Sequence, residues 1–157
     1  MQGRSAPVWS ARRLPFDPDS LPPHVRPETI GLVFAGGALG SVARWGVGIA
    51  LDSGGAWPWA TFTVNLVGAF VLGALLETLT VAGTDTGWRR RVRLACGTGF
   101  LGAFTTYSAF AVDSMLLIRA GSPGVALGYT VATVCCGFVA TAAGIVAAGA
   151  MARGRLR

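Results

Sequence analysis

Gly97-Thr98-Gly99-Phe100-Leu101-Gly102-Ala103-Phe104-Thr105-Thr106-Tyr107-Ser108-Ala109-Phe110 lies inside a run that carries no charge from Leu94 to Val112. Glycines, then two threonines, then two aromatics at i and i+3 make a poor continuous helix. They make a good broken one, whose freed backbone groups can act as ligands. Irregular backbone at bilayer depth persists only where protein buries it or where it lines a cavity. The stretch therefore points to an ion-binding or permeation site near Gly102 and Thr105, whose carbonyls would lose their i+4 donors at such a break. A glycine kink closed by threonine hydroxyls is the plainer alternative.

The rest of the chain places this stretch in a membrane. Of 157 residues, 52% are hydrophobic, and the charges cluster between long apolar runs. Four spans of roughly 20 residues or more each can be drawn. They run from about Thr29 to Leu51, from the Trp57-Pro58-Trp59 interface to about Thr80, from about Arg93 to Arg119, and from about Val125 to Met151. The expected class is an all-α membrane protein of four transmembrane helices, the third of them broken. Short connections make neighbouring helices antiparallel. Glycine spacing such as Gly36 and Gly40 suggests close packing within the chain and against another subunit.

Residues 1–28 form a different region, with Pro7, Pro15, Pro18, Pro22, Pro23 and Pro27 set among charges, so an unstructured tail is expected there. The membrane domain then covers 29–152, and 153–157 is a basic end. Arg12-Arg13 is followed by Leu-Pro-Phe-Asp-Pro-Asp and not by an apolar run, which argues against a cleaved signal. His24, the single histidine, has no visible partner for catalysis or metal binding. The net charge of +6 comes from 13 basic residues, all arginine, placed at span flanks. That placement suits membrane topology and gives no nucleic-acid groove. Cys96, Cys135 and Cys136 form no metal-binding or redox spacing and are expected to be small buried hydrophobes.

Several polar and aromatic residues within the spans are candidates for chemistry. Thr61, Asn65 and Gly68 share a helical face and form a thin polar track. Asn65 suits a pore amide and equally an interhelical hydrogen bond of about 0.6–2 kcal/mol. Tyr107 and Phe110 share a face. Their positive ring edges can replace part of a small anion's hydration, although such pairs are more often plain core. Ser108 and Thr106 add hydroxyls beside them. Tyr129, Thr133 and Gly137 recur at i+4 in the fourth span, either lining a path or joining helices. Arg44, the arginine within the first span, either draws anions into a vestibule or anchors the helix end. Glu77 and Asp113 are expected near the membrane interfaces.

Three ordered motifs carry a resemblance. Gly36-Gly37-Ala38-Leu39-Gly40-Ser41-Val42-Ala43-Arg44-Trp45, Thr61-Phe62-Thr63-Val64-Asn65-Leu66-Val67-Gly68-Ala69-Phe70 and Gly102-Ala103-Phe104-Thr105-Thr106-Tyr107-Ser108-Ala109-Phe110 resemble the small fluoride channels of the Fluc/CrcB family. The resemblance covers everything after the tail. It implies an antiparallel dimer with two fluoride pores and a structural sodium ion at the dimer centre, held by the carbonyls of Gly102 and Thr105. Asn65, Tyr107 and Phe110 would contact fluoride, with Ser108 nearby and Tyr129 and Thr133 on a polar track. The chain departs from the family at Tyr107-Ser108-Ala109-Phe110, where Phe-Ser-Thr-Phe is typical. One ring thus gains a hydroxyl and one threonine hydroxyl is missing.

The implied activity is passive export of cytoplasmic fluoride, without enzymatic chemistry, since no nucleotide motif, redox centre or carboxylate relay is present. A proton-coupled small multidrug transporter is the main rival, but it needs an early membrane carboxylate where this first span has Arg44. A non-transporting membrane assembly protein is the second rival. It explains the glycines but not the grouping of Asn65, Tyr107 and Phe110. Arginine bias puts both termini on the cytoplasmic side of the inner (plasma) membrane, amid lipid. So one-sided a bias favours a partner subunit of opposite topology, a heterodimer, over a dual-topology homodimer.

Overall fold

The computed structural model describes residues 26–51, 55 and 57–154. The readings of Arg4, Arg12, Arg13, His24, Arg155 and Arg157 lie outside those residues. Within them, four helical stretches are long and apolar enough to cross a bilayer: Pro27–Ala50, Trp59–Ala82, Gly87–Arg119 and Pro123–Gly154. The first is α1 (Pro27–Ala50) and the second α2 (Trp59–Ala82). The third comprises α3 (Gly87–Val92), a π-helical stretch (Arg93–Leu101), α4 (Gly102–Phe104) and α5 (Tyr107–Arg119). The fourth is α6 (Pro123–Gly154).

Local chemistry sets the helix ends. Pro27 occupies the first turn of α1, where its missing N–H is no loss, and Arg26 before it is extended. The helix therefore begins inside the segment expected to be tail. Arg89 donates to the carbonyls of Ala82 and Thr84 at 2.9 and 2.7 Å, capping the end of α2. Arg89, Arg90 and Arg91 lie within α3, so the third span starts earlier than its charge pattern suggests. Asp85, in the α2–α3 link, pairs with Arg93, whose hydrogen bonds hold its carboxyl below the ordinary value. Glu28 pairs with Arg91 at 2.7 Å, fastening the start of α1 to α3. At the far side, Ser122 N–H bonds Leu117 O and Gly121 N–H bonds Ile118 O, with Gly121 at φ 75°; Pro123 then opens α6.

Helix α1 packs mainly on the π-helical stretch, while α2 and α5 pack on α6. Backbone carbonyls replace side chains at the closest points. A Cβ on Gly36 would overlap the carbonyl oxygen of Ala95, and one on Gly40 that of Phe100. Across the α2–α6 seam, a Cβ on Gly73 would meet the carbonyl of Thr141, and one on Gly144 that of Phe70. Lipid tails are as apolar as leucine, so tight packing of small residues, and not water exclusion, holds such seams together. Gly97 and Gly99 are buried in the π-helical stretch and do not terminate a helix; Gly99 admits α1, and Gly97 faces Leu72 and Leu75 of α2.

Two small cores flank the third span. Val64, Leu101 and Phe104 form one, with Ala43, Val47, Leu72, Leu75 and Phe100 around them. Leu117, Ala126 and Tyr129 form the other, beside Trp57, Phe62 and Phe110. Many large apolar residues face outward, as a bilayer requires. Cys96, Cys135 and Cys136 are exposed, correcting the expectation that they are buried. A thiol is apolar enough for a lipid or subunit face, and hydropathy does not separate that face from a core.

Candidate functional site

The third span breaks at Thr105 and Thr106. Thr105 has φ −77° and ψ 159°, and Thr106 has φ −151° and ψ 123°, both extended, between α4 and α5. Gly102 remains helical at φ −63° and ψ −31°. The irregular backbone thus lies three residues beyond Gly102, because the glycines are used for packing and the two threonines carry the turn.

Side chains rebuild what the backbone loses there. In a continuous helix the Thr106 amide would bond the carbonyl of Gly102; here it donates to Asn65 Oδ1 at 2.8 Å. The Ala109 amide would bond the carbonyl of Thr105; here it donates to Thr106 Oγ1 at 3.2 Å, so Thr106 is the N-cap of α5. The carbonyls of Gly102 and Thr105 are thereby left without their helical donors. Gly102 is solvent-exposed in the single chain.

Beside the break is a groove of about 360 Å³, lined by Asn65, Thr105, Thr106, Tyr107, Phe110, Thr133, Val134 and Gly137. Three elements build it: α2 supplies Asn65, the break and α5 supply the threonines and aromatics, and α6 supplies Thr133. Gly68 lets the break sit against α2, since a Cβ there would collide with the Thr105 methyl. The ring centroids of Tyr107 and Phe110 are 6.0 Å apart at 45°. Tyr107 is 81% exposed, so in the single chain its ring closes no passage. Ser108 Oγ lies 3.2 Å from Thr106 Oγ1. Thr133 Oγ1 donates to the Tyr129 carbonyl at 2.7 Å, leaving its lone pairs and methyl toward the groove.

Tyr129 is not part of this lining. It is fully buried, packed edge-on against Trp57 at 5.5 Å and beside Phe110 at 5.5 Å. Its i+4 spacing from Thr133 puts both on one helix face, but the second core occupies its end of that face. The phenol oxygen sits near Thr61, Asp113 and Thr133 and has no hydrogen-bond partner among the described residues. Asp113, expected at an interface, likewise has a buried carboxyl oxygen with no such partner. Arg44 is half-buried, next to Ala43 and one turn from Val47, which pack on the first core; it joins neither ion pair found among the described residues.

Thr106, expected only as a spare hydroxyl, has the larger role of N-cap to α5. A threonine three residues before an amide that needs an acceptor is an N-cap signal, and it was available in the chain. Val134, also in the lining, has no such signal. No group of three or more His, Cys, Asp or Glu residues able to hold a metal occurs among the described residues.

Four apolar spans, one broken beside a polar and aromatic groove, make a small multi-pass membrane protein. Residues 31–145 match the family described as CrcB-like protein, Camphor Resistance (CrcB). A fluoride-specific ion channel, FluC 2, of Leifsonia xyli subsp. xyli is 49% identical over 126 residues, covering 80% of this chain and 87% of its own. FluC 1 of Cutibacterium acnes, named likewise, is 47% identical over 113 residues, 71% of this chain and 79% of its own. The fluoride-specific channel FluC of Caulobacter vibrioides is 44% identical over 119 residues, with 74% and 92% covered. The chain belongs to the CrcB family.

Proposed function

We propose that this chain forms a fluoride-selective passive channel that lets cytoplasmic fluoride leave the cell. The observation that carries the reading is the convergence of Asn65, Thr106, Tyr107, Phe110 and Thr133 on one groove, in a chain whose relatives are named for fluoride. Fluoride is small and strongly hydrated, so its passage requires short-range donors in place of water. The free N–H of the Asn65 amide, the Ser108 hydroxyl and the ring edges of Tyr107 and Phe110 supply such partners, while the Thr133 hydroxyl, spent on the Tyr129 carbonyl, would have to turn to donate. Arg44 would concentrate the anion near the groove.

A structural cation fits the break. Sodium favours neutral oxygen ligands, and the carbonyls of Gly102 and Thr105 lack their helical donors. Two carbonyls are too few for one ion, so a second subunit must supply the remainder. If sodium binds only the folded assembly, melting of the purified protein will rise with sodium in place of N-methylglucamine. The gain is about 2.7 kcal/mol at a hundredfold excess over the dissociation constant. Identical melting in both cations would remove the ion from the account.

The partner we propose is a homologous subunit of opposite orientation in the inner membrane. Arg26, Arg89, Arg90, Arg91, Arg93 and Arg153 lie on the side of the two termini, while Arg119 sits at the α5–α6 turn on the other. This bias favours cytoplasmic termini and a single orientation. Reporter fusions at the C-terminus should therefore signal from the cytoplasm alone. Comparable signals from both sides would instead establish dual topology.

A further inference from the structure

Asn65 makes two hydrogen bonds to one residue. Its Nδ2 donates to the Thr106 carbonyl at 3.1 Å and its Oδ1 accepts from the Thr106 amide at 2.8 Å, across 41 residues of sequence. Both partners are backbone groups of fixed polarity, so the orientation of the side-chain amide follows from the pairing itself. A helical residue points its N–H and C=O in opposite directions along the axis. Only an extended residue presents both to one side, as in a hydrogen-bonded pair of antiparallel strands. Thr106, at φ −151° and ψ 123°, is such a residue.

We infer that Asn65 is a positioning residue that selects the break in the third span and so prepares the cation-binding carbonyls, in addition to offering its remaining N–H to the groove. By capturing the Thr106 amide, Asn65 removes the donor that would otherwise occupy the Gly102 carbonyl. By holding Thr106 extended, it sets the residue whose hydroxyl caps α5 and takes the Ala109 amide from the Thr105 carbonyl. One side chain thus links the anion groove to the ion site. The cation part of the inference rests on the sodium reading above; the pairing with Thr106 does not.

Two measurements on the purified full-length assembly separate these parts. Amide hydrogen exchange at Thr106 should be slow in the wild type despite its non-helical backbone, and about tenfold or more faster in Asn65→Ala, since the amide loses its acceptor. In Asn65→Asp, which keeps an acceptor, Thr106 should stay protected. Sodium-dependent melting should be lost in Asn65→Ala and kept in Phe110→Ile, which alters the groove but not the break. Rapid exchange at Thr106 in the wild type overturns the inference without any variant, whether or not Asn65→Ala folds. Unchanged exchange in Asn65→Ala overturns it equally. A full sodium shift in that variant confines Asn65 to the groove. Absence of a sodium shift in the wild type removes the cation reading while leaving the Thr106 exchange to decide the pairing.

Discussion

Phe110→Ile is expected to reduce fluoride flux to background while the protein still assembles. The Phe110 ring lies in the groove with its partner Tyr107 at 6.0 Å and Tyr129 behind it at 5.5 Å. Isoleucine fills much of the same space, so the packing loss should stay within about 1.5 kcal/mol. What disappears is the positive ring edge, and an aliphatic side chain offers a dehydrated anion nothing in return. Tyr107→Phe, by contrast, keeps both rings and restores the aromatic typical of the family, so flux should be retained or raised. Wild-type flux from correctly assembled Phe110→Ile protein would take this residue out of the pathway.

Gly40→Val is expected to abolish assembly. Its Cβ would overlap the carbonyl oxygen of Phe100. The obstacle is backbone, which cannot rotate away as a side-chain tip does. Separating α1 from the π-helical stretch would forfeit the contacts of Gly36 and Gly99 as well, a loss above about 3 kcal/mol. Gly31→Val is the matched control, since no atom lies within 4 Å of its Cβ position. Size-exclusion profiles of the two variants in detergent should show a folded species for Gly31→Val and aggregate or no protein for Gly40→Val. A normal profile for Gly40→Val would mean that the seam is looser than described.

The spans were legible because uncharged stretches long enough to cross a bilayer leave few alternatives. The existence of a break was legible too, from the clustering of glycine and threonine after Gly97. Its position was legible only in part: Thr105 is extended as expected but Gly102 stays helical, because glycine serves both interruption and close approach, and which one applies depends on Gly36 and Gly40 of another helix. The faces of the spans were equally hidden. Lipid, core and subunit interface are all apolar, so the exposure of Cys96, Cys135 and Cys136 and the burial of Tyr129 left no periodic trace. Asn65 stood out as a polar residue in an apolar run, and its neighbours Tyr107, Phe110 and Thr133 now share its groove. Its pairing with Thr106 spans 41 residues and has no local signature.

The departure at Tyr107 acquires a physical meaning from the groove. The hydroxyl sits on a ring that is 81% exposed in the single chain, which the proposed second subunit would cover. There it adds one donor and one acceptor to a contact that phenylalanine would leave apolar. With Ala109 in place of threonine, the chain has moved a hydroxyl by two residues and not simply lost one. In the proposed heterodimer, such a change in one pore would leave the usual aromatic pair to the other.

Anion efflux from liposomes tests fluoride selectivity most directly. Vesicles loaded with equal potassium fluoride and potassium chloride, reconstituted with the assembly that this chain forms in its native membrane, are diluted into a potassium-free medium whose only anion is large and impermeant, with valinomycin to carry potassium. Ion-selective electrodes then follow both anions. The account requires fluoride to drain rapidly while chloride stays inside, with fluoride loss abolished by Phe110→Ile. Retention of both anions, or release of chloride together with fluoride, would contradict it.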